Sequence, residues 1–115
     1  MSERPQTRAR KRQGRCYELA WKSLHDMKDP GDWRVAHGEV NALGKDDSVR
    51  IGHAWLESEI EVFDPVPNKI CRRGDFYRHF RPTKLNRFSL TELAKMIAEQ
   101  SHFGPWRDDV LTRSQ

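Results

Sequence analysis

Apolar and polar positions alternate most clearly between Gly52 and Pro65. In the first half of this stretch His53, Trp55 and Glu57 share one face and Ala54 and Leu56 the other; in the second half Ile60, Val62 and Asp64 oppose Glu61 and Phe63. Period-two alternation on both sides of a short polar break predicts a β-hairpin turning at Ser58-Glu59. Antiparallel partners then pair Glu57 with Ile60, Trp55 with Val62 and His53 with Asp64. Opposed side chains point to the same face with Cβ atoms about 4.5–5.5 Å apart. A histidine facing an aspartate at that distance is an imidazole oriented by a carboxylate.

The flanking patterns complete an α+β domain. Cys16, Leu19, Ala20, Ser23, Leu24 and Met27 recur at helical spacing, Glu18 and Lys22 form an i,i+4 pair away from that face, and Asp29-Pro30-Gly31-Asp32 ends the helix. Trp33 to Leu43 reads as a strand interrupted by Gly38, and the polar turn 44–48 leads through Val49-Arg50-Ile51 into the hairpin. The expectation is a three-stranded antiparallel meander. After Pro65-Val66-Pro67-Asn68, residues 69–87 read as irregular strand and loop. Ser89 and Glu92 have capping-box spacing ahead of an apolar face made by Leu90, Leu93, Ala94, Met96 and Ile97. Phe103-Gly104-Pro105-Trp106 stops this helix, and Trp106 is expected to pack back onto the domain. The chain thus divides into a basic tail over 1–13, expected to be disordered, one domain over 14–108 and a frayed tail over 109–115. In the domain an N-terminal helix packs on a small antiparallel sheet and a C-terminal helix follows.

Charge refines this picture. The 115 residues are 33% charged and 36% hydrophobic, with a net charge of +4. Residues 1–15 hold six basic side chains against one acid, and residues 69–87 hold seven against one. The excess is two local patches that could meet an anion. Lys and Arg interleaved with Phe76, Tyr77 and Phe80 can bind single-stranded nucleic acid by phosphate contact and stacking; Arg72, Arg73, Arg78 and Arg81 are the candidates, with the tail as a second contact. Two cysteines, Cys16 and Cys71, make no disulfide framework. No apolar run approaches spanning length and the N-terminus lacks the apolar segment of a signal peptide. The expectation is a cytoplasmic protein with free thiols and no membrane contact. His25, His37, His53, His79 and His102 share no tight ligand spacing, so neither a metal nor a cofactor is expected.

The chemistry-bearing residues converge on one constellation. Cys16 opens a helix, where unpaired N–H groups and the helix dipole favour a thiolate; as a residue on the buried face it is equally a small core hydrophobe. Cys16 with His53 and Asp64 has the parts of a thiol triad. The thiolate is the nucleophile, the imidazole moves its proton, and the carboxylate orients the imidazole and stabilises its cation.

The motifs Cys16-Tyr17-Glu18-Leu19-Ala20, Arg34 to Val40, His53-Ala54-Trp55-Leu56-Glu57 and Phe63-Asp64-Pro65 resemble, in that order, those of the transglutaminase-like superfamily of papain-type thiol enzymes. The resemblance covers residues 14–66, about half the chain. It implies a papain-like core with the Cys helix against an antiparallel sheet. It also implies acyl chemistry through a thioester on a protein, peptide or small amide: peptide or amide hydrolysis, deglycosylation or amine transfer. The backbone N–H of Cys16 and the side chain of Gln13 are candidates for the oxyanion hole, and Tyr17, His37 and Trp55 for the cleft wall. Two other readings remain open at this point: a nucleic-acid-binding protein using the tail and residues 69–87, and a catalytically silent interaction or inhibitor module on the same fold.

Overall fold

In the computed structural model, residues 15–41, 49–107 and 110–111 are described; the basic tail, the turn at 44–48 and most of 109–115 lie outside them. Helix α1 spans Cys16–His25 and buries Cys16, Ala20 and Leu24, one i,i+4 row. On its outer face Lys22 Nζ meets Glu18 at 3.0 Å. Strands β1 (Arg34–Asn41), β2 (Arg50–Glu57), β3 (Glu61–Asp64) and β4 (Lys69–Arg72) follow. Then come helix α2 (Arg73–Phe80), strand β5 (Thr83–Phe88) and helix α3 (Leu90–Gln100). Among the described residues the architecture is α+β: five antiparallel strands in the order β4-β3-β2-β1-β5 with these three helices.

The meander is thus longer than the three strands expected, and residues 69–87 form strand, helix and strand instead of an irregular loop. The physical reason lies in the aromatics. Phe76 and Phe80 are one helical turn apart, and with Tyr77 they lay α2 over the sheet against Trp55, whose ring lies 5.0 Å from that of Phe76. Helix α2 ends where Arg81 turns left-handed at φ 47° and its N–H closes on the Tyr77 carbonyl.

Side-chain parity splits the core into two layers. Cys16, Ala20 and Leu24 of α1 and Leu93 and Met96 of α3 pack with Val35, Ala54, Leu56 and Phe88 on one face of the sheet. Ala36, Val40, Trp55 and Val62 pack with Phe76 of α2 on the other. Strand β2 is consequently buried on both faces from His53 to Glu57.

The hairpin turns later than expected. Leu56 pairs with Phe63 and Glu57 with Val62. Ser58 N–H donates to the Glu61 carbonyl at 2.9 Å, while its Oγ accepts from Glu61 N–H at 3.0 Å. Ile60, expected opposite Glu57, stands at the tip with 71% of its surface exposed. The register is displaced by two residues, so every side chain keeps its face.

The C-terminal expectations match closely. Ser89 and Glu92 form a reciprocal capping box, and Trp106 is buried against the α1/α3 layer. Val110, expected to fray, is also buried in that layer, and Leu111 packs beside it.

Gly38 interrupts the β1 pattern because three groups, the Thr83 carbonyl and the side chains of Leu85 and Trp55, crowd its Cβ position. A Cβ there would lie 3.0 Å from the Thr83 carbonyl oxygen and 3.2 Å from Trp55 Cη2, where the β1–β5 ladder is irregular. At Gly74, in the first turn of α2, a Cβ would meet nothing within 4 Å. Gly38→Ala should therefore lower stability by about 1–3 kcal/mol, whereas Gly74→Ala should raise it by about 0.5–1 kcal/mol; urea unfolding of the two variants checks both signs.

Candidate functional site

Strand β2 brings two ionisable side chains, His53 and Glu57, to the face that α2 covers. Each is buried, so each needs a partner. His53 finds Asp64: Nε2 and Oδ2 are 2.9 Å apart, with the side chains 8% and 13% exposed. The pair is the one expected from the hairpin, but it forms diagonally, because the observed register puts Asp64 across from Trp55. The other carboxylate oxygen, Oδ1, accepts the N–H of Val66 at 3.1 Å, which fixes the carboxylate as β3 leaves the sheet.

Cys16 approaches from the opposite side. It is the first residue of α1, so its N–H belongs to the turn that has no intrahelical acceptors. The β2–β3 ladder stops at Leu56–Phe63, leaving the β3 side of His53 without a strand partner, and thiol and imidazole interact. Burial alone would lower the His53 pKa. The hydrogen bond to Asp64, the interaction with the Cys16 thiol and the negative charge of both outweigh it and raise the pKa to about 9. Nδ1 has no partner within ordinary hydrogen-bond geometry, so the thiol contact is longer or less aligned than the one to Asp64. His53 is therefore held as a cation at neutral pH, between a carboxylate and a thiol. Cys16 itself is only 1% exposed.

A cavity of about 150 Å³ opens beside His53 and Asp64 on the α2 side, walled by Val40, Ile51 and Phe80. A groove of about 880 Å³ lies along Glu59, Arg72 and Arg78, and neither His53 nor Cys16 lines it.

The remaining cleft candidates divide. Trp55 is wholly buried, stacks on His53 with centroids 6.0 Å apart, and donates its indole N–H to Glu57 at 2.9 Å. Tyr17 and His37 lie together on the α1 side, rings 4.8 Å apart and perpendicular. Burial, then the charges of Cys16 and Glu39, push the Tyr17 hydroxyl up to about 12. Burial alone pushes His37 down to about 3, so it stays neutral. Gln13 lies outside the described residues.

Glu57 carries no signal in the sequence that marks it as a site residue, although it alternates with His53 and Trp55. It is 2% exposed and accepts from Trp55, from Tyr77 Oη at 2.6 Å and from Arg87 Nε at 2.7 Å; Arg73 Nε lies 3.5 Å away. The carboxylate stays below its ordinary pKa: burial would raise it, but the bonds from Tyr77, Arg87 and Trp55 prevail. Among the arginines considered for nucleic acid, Arg73 is thus committed to Glu57 and to the Tyr77 ring, Arg78 pairs with Asp75, and Arg72 is exposed on the edge strand β4. Arg81, also exposed, caps α2.

Among the described residues, no three His, Cys, Asp or Glu side chains gather as a metal site requires, and no helix is long and apolar enough to cross a membrane. No family model, curated protein or solved structure matches the chain.

The two histidines titrate in opposite senses. A raised pKa contributes stability that is complete below the ordinary value of 6.5 and is lost as pH climbs through about 9 for His53. A lowered pKa opposes folding as pH falls from 6.5 towards about 3 for His37. Stability should therefore peak near pH 6.5 and decline on both sides, by about 3 kcal/mol on the alkaline limb. Chemical unfolding against pH checks this: Asp64→Asn should flatten the alkaline limb and leave the acid limb, and His37→Phe should do the reverse.

Proposed function

We propose that this chain is a small thiol-dependent enzyme acting on an amide or ester acyl group, with Cys16 as nucleophile, His53 as proton carrier and Asp64 as the group that orients it. One observation carries the reading: a buried imidazole bonded to a carboxylate at 2.9 Å and raised further by the Cys16 thiol. It agrees with the motif order that resembles the transglutaminase-like superfamily, and we extend the α+β architecture to a papain-like core on the same ground.

The chemistry assigns one task to each group. The reactive form is a thiolate–imidazolium pair, in which His53 already carries its proton and the Cys16 sulfur has released its own to solvent. The sulfur attacks the acyl carbon, and a C–S bond forms while the carbonyl π electrons move to oxygen. In this reading the N–H of Cys16, which has no intrahelical acceptor, receives that oxyanion. Collapse breaks the C–N or C–O bond, and the leaving group takes its proton from His53. Water or an amine, losing a proton to His53, then cleaves the thioester and restores the thiolate–imidazolium pair. The 1% exposure of Cys16 means that an acyl group reaches the sulfur only after a local opening.

That same burial favours a second reading, a catalytically silent interaction module in which the triad is structural. Cys71 supplies the control within the chain. It is exposed, and burial followed by the charges of Asp75 and Asp64 pushes its thiol above the ordinary value. Iodoacetamide labelling followed site by site by mass spectrometry should find Cys16 reacting at pH values where Cys71 is inert. In His53→Ala that advantage should fall about ten-fold or more. If Cys16 is unreactive in the native protein, or shares the pH profile of Cys71 in both proteins, the enzyme reading is wrong and the silent module stands.

A further inference from the structure

The bond from Asp64 holds one end of the His53 ring; its tilt is left to what packs on its face. Trp55, two residues along β2 and on the same side of the sheet, packs there. The ring centroids are 6.0 Å apart and the planes differ by 28°, an offset stack. Asp64 from β3 and Cys16 from α1 are the titratable groups that act on the imidazole. The side chains that β1, α2 and the β3–β4 turn bring to the cavity beside it, Val40, Asn41, Phe80 and Val66 among them, are uncharged.

The indole is itself clamped on three sides. Its N–H donates to Glu57 Oε1 at 2.9 Å, Cη2 lies 3.2 Å from where a Cβ on Gly38 would stand, and Phe76 packs against it with centroids 5.0 Å apart. Glu57 is held in turn by Tyr77 Oη at 2.6 Å and Arg87 Nε at 2.7 Å. A chain of contacts therefore runs from α2 and β5 through Glu57 and Trp55 to the imidazole. Charge gives the last contact a direction. His53 is a cation at neutral pH, and an indole face attracts a cation within about 6 Å, more strongly where both are out of water. A carboxylate accepting the indole N–H adds electron density to the ring and deepens that attraction. A neutral imidazole gains much less, so the stack favours the charged form.

We propose that Trp55 is the positioning residue of His53: its indole face, held in place by Glu57, sets the tilt of the imidazole and keeps it cationic beside the Cys16 thiol. That this serves proton transfer rests on the enzyme reading; the hold of the indole on the imidazolium does not.

Fluorinated tryptophan keeps the shape and the N–H of the indole while drawing electron density from its face, so it changes the attraction and not the packing. In the full-length protein with its tryptophans replaced by monofluoro- and then difluorotryptophan, the His53 midpoint followed by NMR should fall stepwise, by a few tenths of a pH unit in all. Trp55→Phe should lower the midpoint too. In that variant, fluorinating the three remaining tryptophans, Trp21, Trp33 and Trp106, should leave the midpoint unmoved. Iodoacetamide labelling of Cys16 in the same proteins separates the two claims. A stepwise fall with Cys16 inert throughout supports the hold on the ring and removes only the enzyme reading. A midpoint that fluorination leaves unmoved, or that moves equally when residue 55 is phenylalanine, would overturn the proposal.

Discussion

A central strand buried on both faces cannot carry charge unless the rest of the chain supplies the counter-charge. Strand β2 carries two such groups, His53 and Glu57, on the same face, four residues apart. Much of the architecture around that face answers this constraint. Asp64 on β3 reaches back to His53, while Tyr77 and Arg73 of α2 and Arg87 of β5 converge on Glu57. Trp55 lies between them, stacked on one and bonded to the other. The polar positions of one strand thereby fix how β3, α2 and β5 assemble around it.

The two groups end in different states. Glu57 is saturated by a buried network that includes two guanidinium groups, so its oxygens are committed to structure. His53 has Nε2 committed and Nδ1 open, in contact with a thiol rather than held by a strong bond. An imidazole kept cationic, with one nitrogen available, is chemically poised in a way that the Glu57 carboxylate is not. The difference traces to geometry: the β2–β3 ladder stops at Leu56, so the His53 end of β2 is open on that side while the Glu57 end is closed by its pairing and by α2.

What the sequence made legible was local. The His53–Asp64 pair followed from alternation, and it survived a two-residue error in the turn because parity, not register, assigns side chains to faces. The capping box at Ser89 and Glu92 was readable because its two bonds lie within one turn. The partners of Glu57 were not readable, because they come from residues 73, 77 and 87 and exist only once α2 and β5 have folded over the sheet. Helix α2 was hidden by its composition. Its aromatic spacing was present, but a run so rich in arginine and histidine reads as a solvated patch until Trp55 is known to lie beneath it. Gly38 looked like a break in β1; it is the place where Trp55 and the Thr83 carbonyl come close to the strand.

Direct titration of His53 tests the central claim, that its imidazole is shared between Asp64 and the Cys16 thiol. The account predicts that the His53 ring resonances, assigned by NMR with His53→Gln, titrate near pH 9. It further predicts that the midpoint falls in both Asp64→Asn and Cys16→Ala. A midpoint near 6.5 in the native protein, or one that Cys16→Ala leaves unmoved, would contradict it.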